Sequence, residues 1–446
     1  MSLINEFIDI LSDLIAFRSI AINHEECRKT ASYIADILKD VGFIVDVVGV
    51  KDGNPVVFAE MRGERKEALL FYNHYDVQPA DPIEEWKTKN PFELTIKDDF
   101  LVGRGVGDNK GNIVSRILAV KRVLEEKSRL PYTVKFVIEG EEEMGSPHLW
   151  EALEKKKELF NNVKGVIWES GGYNRDDSIT LILGLKGILY AELRARRLKR
   201  DAHSALAVIL PSAIWDLIDF LTWLRKEKLK QIPSFHESLI DIKEIIDNIL
   251  ESGLEISFEE QTLKEEFDIG EFIDKLTGDN ALLAYYGNPT FNIDGIVSGY
   301  IGEGQKTVLP KEAKVKIDFR LVPFQDPRRI SEELCKLAKE RNIECRILSM
   351  TYPAYTDFNH NFVQALIKFL QLNNQKVKIA PWSAGSGPMH YFVNNLELPS
   401  IGGIGVSYWS SRHHAPNENI RIKDVEKTID LLVKLLNFTE IVGMEK

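Results

Sequence analysis

The chain has 446 residues, 44% apolar and 28% charged, which is the composition of an ordinary globular protein too long for one hydrophobic core, so two domains are expected. A formal net charge of -11 argues against nucleic acid or an anionic membrane as the principal partner. Cys27, Cys335 and Cys345 show no CxxC spacing, which predicts neither a disulfide framework nor a thiolate zinc site and suits a reducing, cytoplasmic setting.

From Met1 to Phe17, the apolar residues Ile4, Phe7, Ile8, Leu11, Leu14 and Ile15 recur at helical spacing. This predicts an amphipathic helix rather than a signal peptide. No apolar run is long enough to span a bilayer. A helix around Arg28 to Val41 follows, then strands Phe43 to Val50, Val56 to Met61 and Ala68 to Tyr72, and a helix Asn112 to Glu126. Strands Tyr132 to Ile138 and Val163 to Trp168 bracket a helix Ser146 to Phe160. This alternation predicts an α/β domain.

The pattern changes at Gly184-Leu-Lys-Gly187. A strand Ile188 to Ala195, a helix Pro211 to Lys226, strands Gly295 to Ile301 and Ala313 to Leu321, a helix Pro327 to Arg341 and a strand Ile343 to Met350 give a β-α-β-β-α-β order. That order predicts a ferredoxin-like insert. The charged, helical stretch Glu227 to Asn288 reads as an embellishment of the insert. After Pro353 the α/β pattern returns, with helix Asn361 to Leu372, strand Lys376 to Ile379, a Gly-rich loop Ser383 to Pro388, strand Ser400 to Ile404 and helix Ile422 to Phe438. The expected division is 1–186 with 353–446 as the catalytic domain and 187–352 as the insert. Hinges are expected near Leu185 to Gly187 and Thr351 to Pro353.

Chemistry gathers at strand ends. In Tyr72-Asn-His-Tyr-Asp-Val-Gln-Pro79, an apolar, buried, parallel-type strand runs into His74 and Asp76, a metal-ligand type with a carboxylate able to hold its second ring nitrogen. Gly103-Arg-Gly-Val-Gly-Asp-Asn-Lys-Gly111 precedes a helix but lacks the Lys-Ser/Thr ending of a phosphate loop, and Asp108 would repel an anion. A carboxylate held by tight glycine turns suits a cation. Glu139-Gly-Glu-Glu-Glu-Met-Gly-Ser146 and Trp168-Glu-Ser-Gly-Gly172 each place glutamates after an apolar strand. His413-His-Ala-Pro-Asn-Glu418 adds histidines just before the last helix. Strand C-termini form the ligand edge of an α/β sheet, so these groups make up the ligand set of a two-metal hydrolytic site.

These segments, in this order and across nearly the whole chain, resemble the co-catalytic zinc exopeptidases that include carnosinase, cytosolic non-specific dipeptidase, aminoacylase, acetylornithine deacetylase and succinyl-diaminopimelate desuccinylase. The resemblance implies a mixed-sheet di-zinc catalytic domain with an inserted ferredoxin-like α+β lid that also serves dimerisation. His74 and Glu169 would bind one metal, Glu143 and His414 the other, and Asp108 would bridge them, with a cis peptide at Asp108-Asn109. Glu142 would be the general base, acting on a metal-bridging water and then delivering the proton to the leaving amine. Asp76 would orient His74.

The three-glutamate run allows a register shifted by one, through Glu141, and His413 could exchange with His414. The spacing to Met144-Gly-Ser146 and to Asn417-Glu418 favours Glu142, Glu143 and His414. In the insert, Asp201-Ala-His-Ser204 resembles the element whose histidine polarises the scissile carbonyl, often from the partner subunit, which implicates His203. Arg320 matches the arginine that pairs with the substrate carboxylate, and Ser386 lies where the family contacts the same group. His24, His148, His236 and His360 read as solvated, while His390 lines the pocket or packs in the core.

The resemblance implies a homodimeric, cytoplasmic exopeptidase for dipeptides or short peptides with a free C-terminal carboxylate, using two divalent cations, zinc first and manganese or cobalt as alternatives. Val-Gln-Pro after Asp76, Trp86-Lys-x-x-x-Pro-Phe92 and Glu-Glu-Met-Gly-Ser point to the dipeptidase branch. An N-acyl-amino-acid deacylase is the rival reading, and a non-catalytic peptide-binding homologue the remote one. Nucleic-acid and membrane partners are not expected.

Overall fold

The computed structural model describes residues 2–227, 229–237 and 241–443. Met1, 228, 238–240 and 444–446, which belong to the expected N-terminal helix, charged stretch and chain end, lie outside the described residues.

Among the described residues, nine strands form the larger sheet. They are β1 (Ile44–Val48), β2 (Val56–Met61), β3 (Ala68–His74), β4 (Thr133–Glu139), β5 (Val163–Tyr173) and β6 (Ile179–Ile182), then, after a strand of the smaller sheet, β7 (Gly187–Arg196), β8 (Glu255–Ile256). Past three more strands of the smaller sheet, β9 (Thr290–Ser298), β10 (Glu312–Leu321) and β11 (Ile343–Thr351), come β12 (Val377–Ala380) and β13 (Ser400–Tyr408). The larger sheet runs β1-β2-β4-β3-β5-β13-β6-β12-β8 and the smaller β9-β10-β7-β11. Its middle strands, β4, β3, β5 and β13, are mutually parallel, so their C-terminal ends share one edge.

All seven residues of β3 are buried, because helices cover both faces. Leu69 and Phe71 enter a core with Phe7, Leu11, Leu14 and Ile15 of α1 (Leu3–Ala16) and with α2 (His24–Val41), α3 (Lys110–Lys127) and α11 (Ile422–Leu436). Ala68, Leu70 and Tyr72 alternate to the opposite face, against Leu149 and Leu153 of α4 (Leu149–Lys155) and against Trp168, Met389 and Phe392. Burying each large apolar side chain stabilises the fold by about 1.5–3 kcal/mol. α10 (Asn361–Leu372) starts where the sequence places it, capped by His360.

The smaller sheet is antiparallel throughout and carries α5 (Ala213–Lys226) and α9 (Pro327–Glu340) on one face. Along β7, Leu189, Ala191, Leu193 and Ala195 point into that core while alternate residues point away. The strand and helix order is the β-α-β-β-α-β order of the sequence reading.

Several expectations are corrected. The stretch Glu227 to Asn288 embellishes the insert only at its start, where Leu229, Ile232 and Phe235 enter the core of the smaller sheet; the rest folds as α6 (Ile242–Glu251), α7 (Glu260–Glu266) and α8 (Gly278–Gly287), with β8 pairing in parallel with β12 at the edge of the larger sheet. Its buried Ile249 enters the main core, and Tyr286 packs with Trp382. Periodicity shows that such helices are amphipathic but not which sheet receives them. Cys335 and Cys345 form a disulfide between α9 and β11, with Cα atoms 5.2 Å apart, which removes the cysteine argument for a reducing setting. Ten residues of separation hid a contact made by a helix folding back on its next strand.

The helix read at Ser146 to Phe160 is shorter, because Gly145 and Ser146 both take positive φ. The strand read at Gly295 to Ile301 starts earlier and stops at Ser298, where Gly299 turns at φ 70°.

Candidate metal centre

The parallel strand ends hold most of the groups singled out in the sequence. His74 closes β3, Glu142 and Glu143 lie in the turn after β4, and Glu169 lies in β5. His414 sits in the loop after β13, and Asp108 in the loop before α3. Ligand atoms of His74, Glu142 and Glu169 lie within 4.8 Å of one another, as do those of Asp108, Glu143 and His414. Asp108 links the groups: its Oδ1 is 3.0 Å from His74 Nε2 and its Oδ2 is 3.0 Å from His414 Nε2. His414 Nε2 is also 3.2 Å from Glu143 Oε2, and His74 Nε2 is 3.3 Å from Glu169 Oε2. The neighbouring His413 turns instead to Ser407 Oγ, at 2.9 Å. The Asp108-Asn109 peptide is cis.

Asp76 does more than face His74. His74 Nδ1 donates to the Asp76 carbonyl at 3.1 Å, leaving Nε2 for the cluster. The fully buried Asp76 carboxylate accepts the backbone N–H groups of Glu142 and Glu143 at 3.2 and 2.9 Å. One residue therefore fixes the imidazole through its carbonyl and the glutamate turn through its carboxylate.

Other supports escaped the sequence reading. Glu418, used there only as a spacing marker, is fully buried, and its Oε1 accepts from the N–H groups of Gly107 and Asp108 at 2.9 and 3.0 Å. Its Oε2 accepts from Gly105 N–H at 2.9 Å and from Arg104 Nη1 at 2.8 Å, so a carboxylate inside the protein folds the Gly-rich loop around itself. Arg116, buried on α3, donates to the carbonyls of Tyr72, Trp168 and Glu169 and to Asn73 Oδ1, bracing β3 against β5 beneath the site. Asn109 donates to the Glu169 carbonyl and accepts from Asn73. Gln78 donates to Glu143 Oε2 at 2.8 Å. The available signal was an arginine in the apolar face of a helix and a glutamate directly before a strand.

The electrostatics follow from crowding. Burial pushes the His74 pKa down, but Glu169, Asp108 and Asp76 outweigh it and hold it well above the usual value. His414 is raised to about 10 by its bonds to Asp108 and Glu143. Burial, then the charge of Glu169, pushes Glu142 well above the carboxylate range, and burial raises Glu169 to about 7 against the pull of His74. Glu169 Oε2 is buried and, its ion-pair approach to His74 aside, has no hydrogen-bond donor among the described residues. Nitrogen and oxygen donors in two close groups, with excess carboxylate charge and an unsatisfied oxygen, fit a pair of divalent cations.

A cavity of about 900 Å³ opens over these groups and is also lined by Arg320 and Ser386, whose side chains meet through Arg320 Nη1 and Ser386 Oγ at 3.1 Å. His203 is not brought to the cavity. It is exposed in a two-residue strand paired with Val308–Leu309, and its Nδ1 accepts from Ala205 N–H. The histidines read as solvated have partners: His24 with Asn54, His148 with Glu141, His360 with the N–H of Phe362, and His236 among others. His390 is buried beside Tyr391 and Tyr352.

The sequence profile of peptidase family M20/M25/M40 matches residues 70–437. A solved metallo-carboxypeptidase of the M20 family from Sulfolobus solfataricus is 32% identical, with a TM-score of 0.84, covering 97% of this chain and 99% of that one. A Beta-Ala-His dipeptidase of Rattus norvegicus is 28% identical over 90% of this chain and 80% of its own length. A probable di- and tripeptidase, DUG2, of Saccharomyces cerevisiae is 25% identical over 97% of this chain, which spans half the length of that relative.

Proposed function

The chain belongs to peptidase family M20/M25/M40, and from that membership we propose that it is a metal-dependent dipeptidase, hydrolysing the amide bond of dipeptides or short peptides that end in a free carboxylate. The observation that carries this reading is the convergence, in one cavity, of the two ligand groups joined by Asp108 with the Arg320 and Ser386 pair. Relatives named as dipeptidases support the same branch.

In this reading His74 and Glu169 would hold one cation and Glu143 and His414 the other, and Asp108, which meets both histidines, would serve both. Zinc is the first choice, with manganese or cobalt as alternatives. When bound, such cations supply Lewis acidity and make water acidic near neutral pH. The chain's own groups do the rest. Arg320, with Ser386, binds the substrate carboxylate and sets which amide faces the cluster. Glu142 Oε1 lies close enough to Gly387 that a side chain there would meet it at 3.2 Å, so the carboxylate stands at the cavity wall, free to take a proton and return it to the leaving amine. Asp76 keeps Glu142 and His74 in register.

His203 would act on the neighbouring protomer of a homodimer. Supporting this, the edge strand β9 is almost wholly exposed, with Ile293, Ile296 and Val297 open to solvent, as is Ile301 after it, and Val208, Ile209 and Trp215, in the segment that follows His203, are exposed. The smaller-sheet unit, 187–352 apart from residues 242–288 that join the larger sheet, would then be both dimerisation element and lid, with hinges near residues 185–187 and 351–353. A cytoplasmic setting is part of the same proposal.

The test is hydrolysis of an unblocked dipeptide against its N-acetyl amino acid counterpart by protein of measured metal content, before and after chelation. Cleavage of the dipeptide that chelation abolishes and divalent cations restore is expected. Cleavage of only the acetylated compound would give the deacylase instead, and full activity without metal would end both readings.

A further inference from the structure

Arg320 and Asp318 stand two residues apart on β10, so they share the face of the smaller sheet that is turned away from α5 and α9, while Phe319 between them points into the helix-covered core. The strand register extends that open face sideways: Arg320 lies between Ile188 and Thr290, and Asp318 between Tyr190 and Asn292. Lys316, next along the same face, is exposed, but Asp318 is only 8% exposed. A carboxylate so far out of water needs partners.

Its Oδ1 lies 3.5 Å from Arg320 Nε, and its carboxyl group meets that of Asp294. Asp294 reaches it from a bulge in β9 between Ile293 and Gly295, and Asn292 Nδ2 donates to Asp294 Oδ1 at 3.0 Å. Partial desolvation, then the hydrogen bond and charge of Asp318, raise the Asp294 carboxyl above its usual range. When the pair holds a proton, Asp294 therefore carries it, and the negative charge stays on Asp318 beside the guanidinium.

A guanidinium is a planar fork with five N–H donors, and what it binds depends on which edge faces the ligand. Asp318 stands at the Nε edge of Arg320, and Nη1 donates to Ser386 Oγ at 3.1 Å. The backbone is held too, the Arg320 N–H donating to Thr290 Oγ1 at 3.2 Å. With the Nε edge taken, the Nη edge is left for the cavity that Arg320 lines.

We propose that Asp318 is the positioning residue of the carboxylate anchor: it takes the Nε edge of Arg320 and so turns the Nη edge toward the C-terminal carboxylate of the substrate, making the site selective for a free carboxylate over a carboxamide. The inference rests on the reading of Arg320 above and adds what gives that anchor its selectivity. Charge and geometry act in opposite directions here. Asp318 repels an incoming carboxylate, so a purely electrostatic role predicts tighter binding once it is removed. The Arg320 side chain is 37% exposed, where water screens such repulsion, whereas a misplaced bidentate contact loses an order of magnitude or more, so orientation outweighs repulsion.

The test is kcat and KM of the metal-loaded protein for Ala-Leu and its C-terminal amide, with N-acetyl-Leu and its amide as a parallel pair, and equilibrium binding of all four compounds. The free acid is expected to exceed the amide by about 100-fold or more in kcat/KM. In Asp318→Ala that ratio should fall by about 10- to 100-fold, carried by KM of the free acid rather than by kcat. A residue that only supports the fold would lower both compounds together and leave the ratio where it was. Arg320→Met, which removes the anchor itself, should abolish the preference.

A ratio that collapses in Arg320→Met but is unchanged or higher in folded Asp318→Ala overturns this inference alone. No preference for the free acid in the parent protein, or a ratio untouched by Arg320→Met, ends the carboxylate-anchor reading and the inference with it. Where thermal unfolding shows that Asp318→Ala does not fold, Asp318→Asn, of the same size, decides: a fall of about threefold or more supports the positioning, and an unchanged ratio overturns it. Turnover of the acetyl pair alone removes the dipeptidase reading, and the acid to amide ratio of that pair then decides; where turnover is absent, binding gives the same ratio.

Discussion

Glu418 offers the sharpest test of how this site is built, because it binds no substrate and no proposed metal yet holds the loop that presents Asp108. Its carboxylate has four donors: the N–H groups of Gly105, Gly107 and Asp108, and the buried Arg104 guanidinium. In Glu418→Gln one oxygen becomes an amide NH2, so two of those donors face a donor instead of an acceptor. Leaving a buried donor unsatisfied costs about 1–3 kcal/mol, and breaking a buried ion pair by removing one partner costs about 3–5 kcal/mol. The two losses overlap, so about 4 kcal/mol is expected for Gln and more for Glu418→Ala, a large part of the 5–15 kcal/mol typical of a domain.

At the usual unfolding entropy per residue, a chain of this length loses about 1 °C in Tm per kcal/mol, so Gln should lower Tm by about 4 °C. Calorimetry of the metal-free protein reads this without interference from bound cations. Because Asp108 N–H is one of the released donors, metal affinity should fall together with stability, by about 10- to 100-fold. A Glu418→Gln protein with unchanged Tm and full metal affinity would refute the claim that this buried carboxylate shapes the loop.

Glu142→Ala should keep both metals, measured by elemental analysis, while kcat falls by several powers of ten; near-normal turnover would remove Glu142 as base. His390, buried with its Nδ1 unpartnered, has a pKa lowered by burial from 6.5 to about 4. The native protein therefore binds fewer protons there than the unfolded chain between those values. Its contribution is complete above pH 6.5 and is lost as pH falls through about 4, up to about 3 kcal/mol. His390→Phe should flatten the acid limb of the stability profile in that window relative to the parent; two parallel profiles would show that the ring is not held neutral.

Much of this site was legible because its chemistry is written in short segments. An apolar run ending in His74, a glycine turn holding Asp108 and glutamates after a strand each state a local demand, and parallel strands bring their ends to one edge whatever the details of packing. The β-α-β-β-α-β order was legible for the same reason, since period and turn residues are local. The supports were not. Glu418 lies about three hundred residues from the loop it holds, and Arg116 braces strands that are neighbours only in the folded sheet.

The sequence by itself determined which chemistry-bearing residue types lie at the strand ends and the β-α-β-β-α-β order, because these depend on residue chemistry and on periods of two and 3.6. Only the tertiary structure decided that most of the charged stretch joins the larger sheet, that Cys335 meets Cys345, that Asp76 serves the imidazole and the glutamate turn together, and that His203 stands apart from the cavity of its own chain. Each depends on contacts between distant segments, whose partners are chosen by the packing of whole faces rather than by any local pattern.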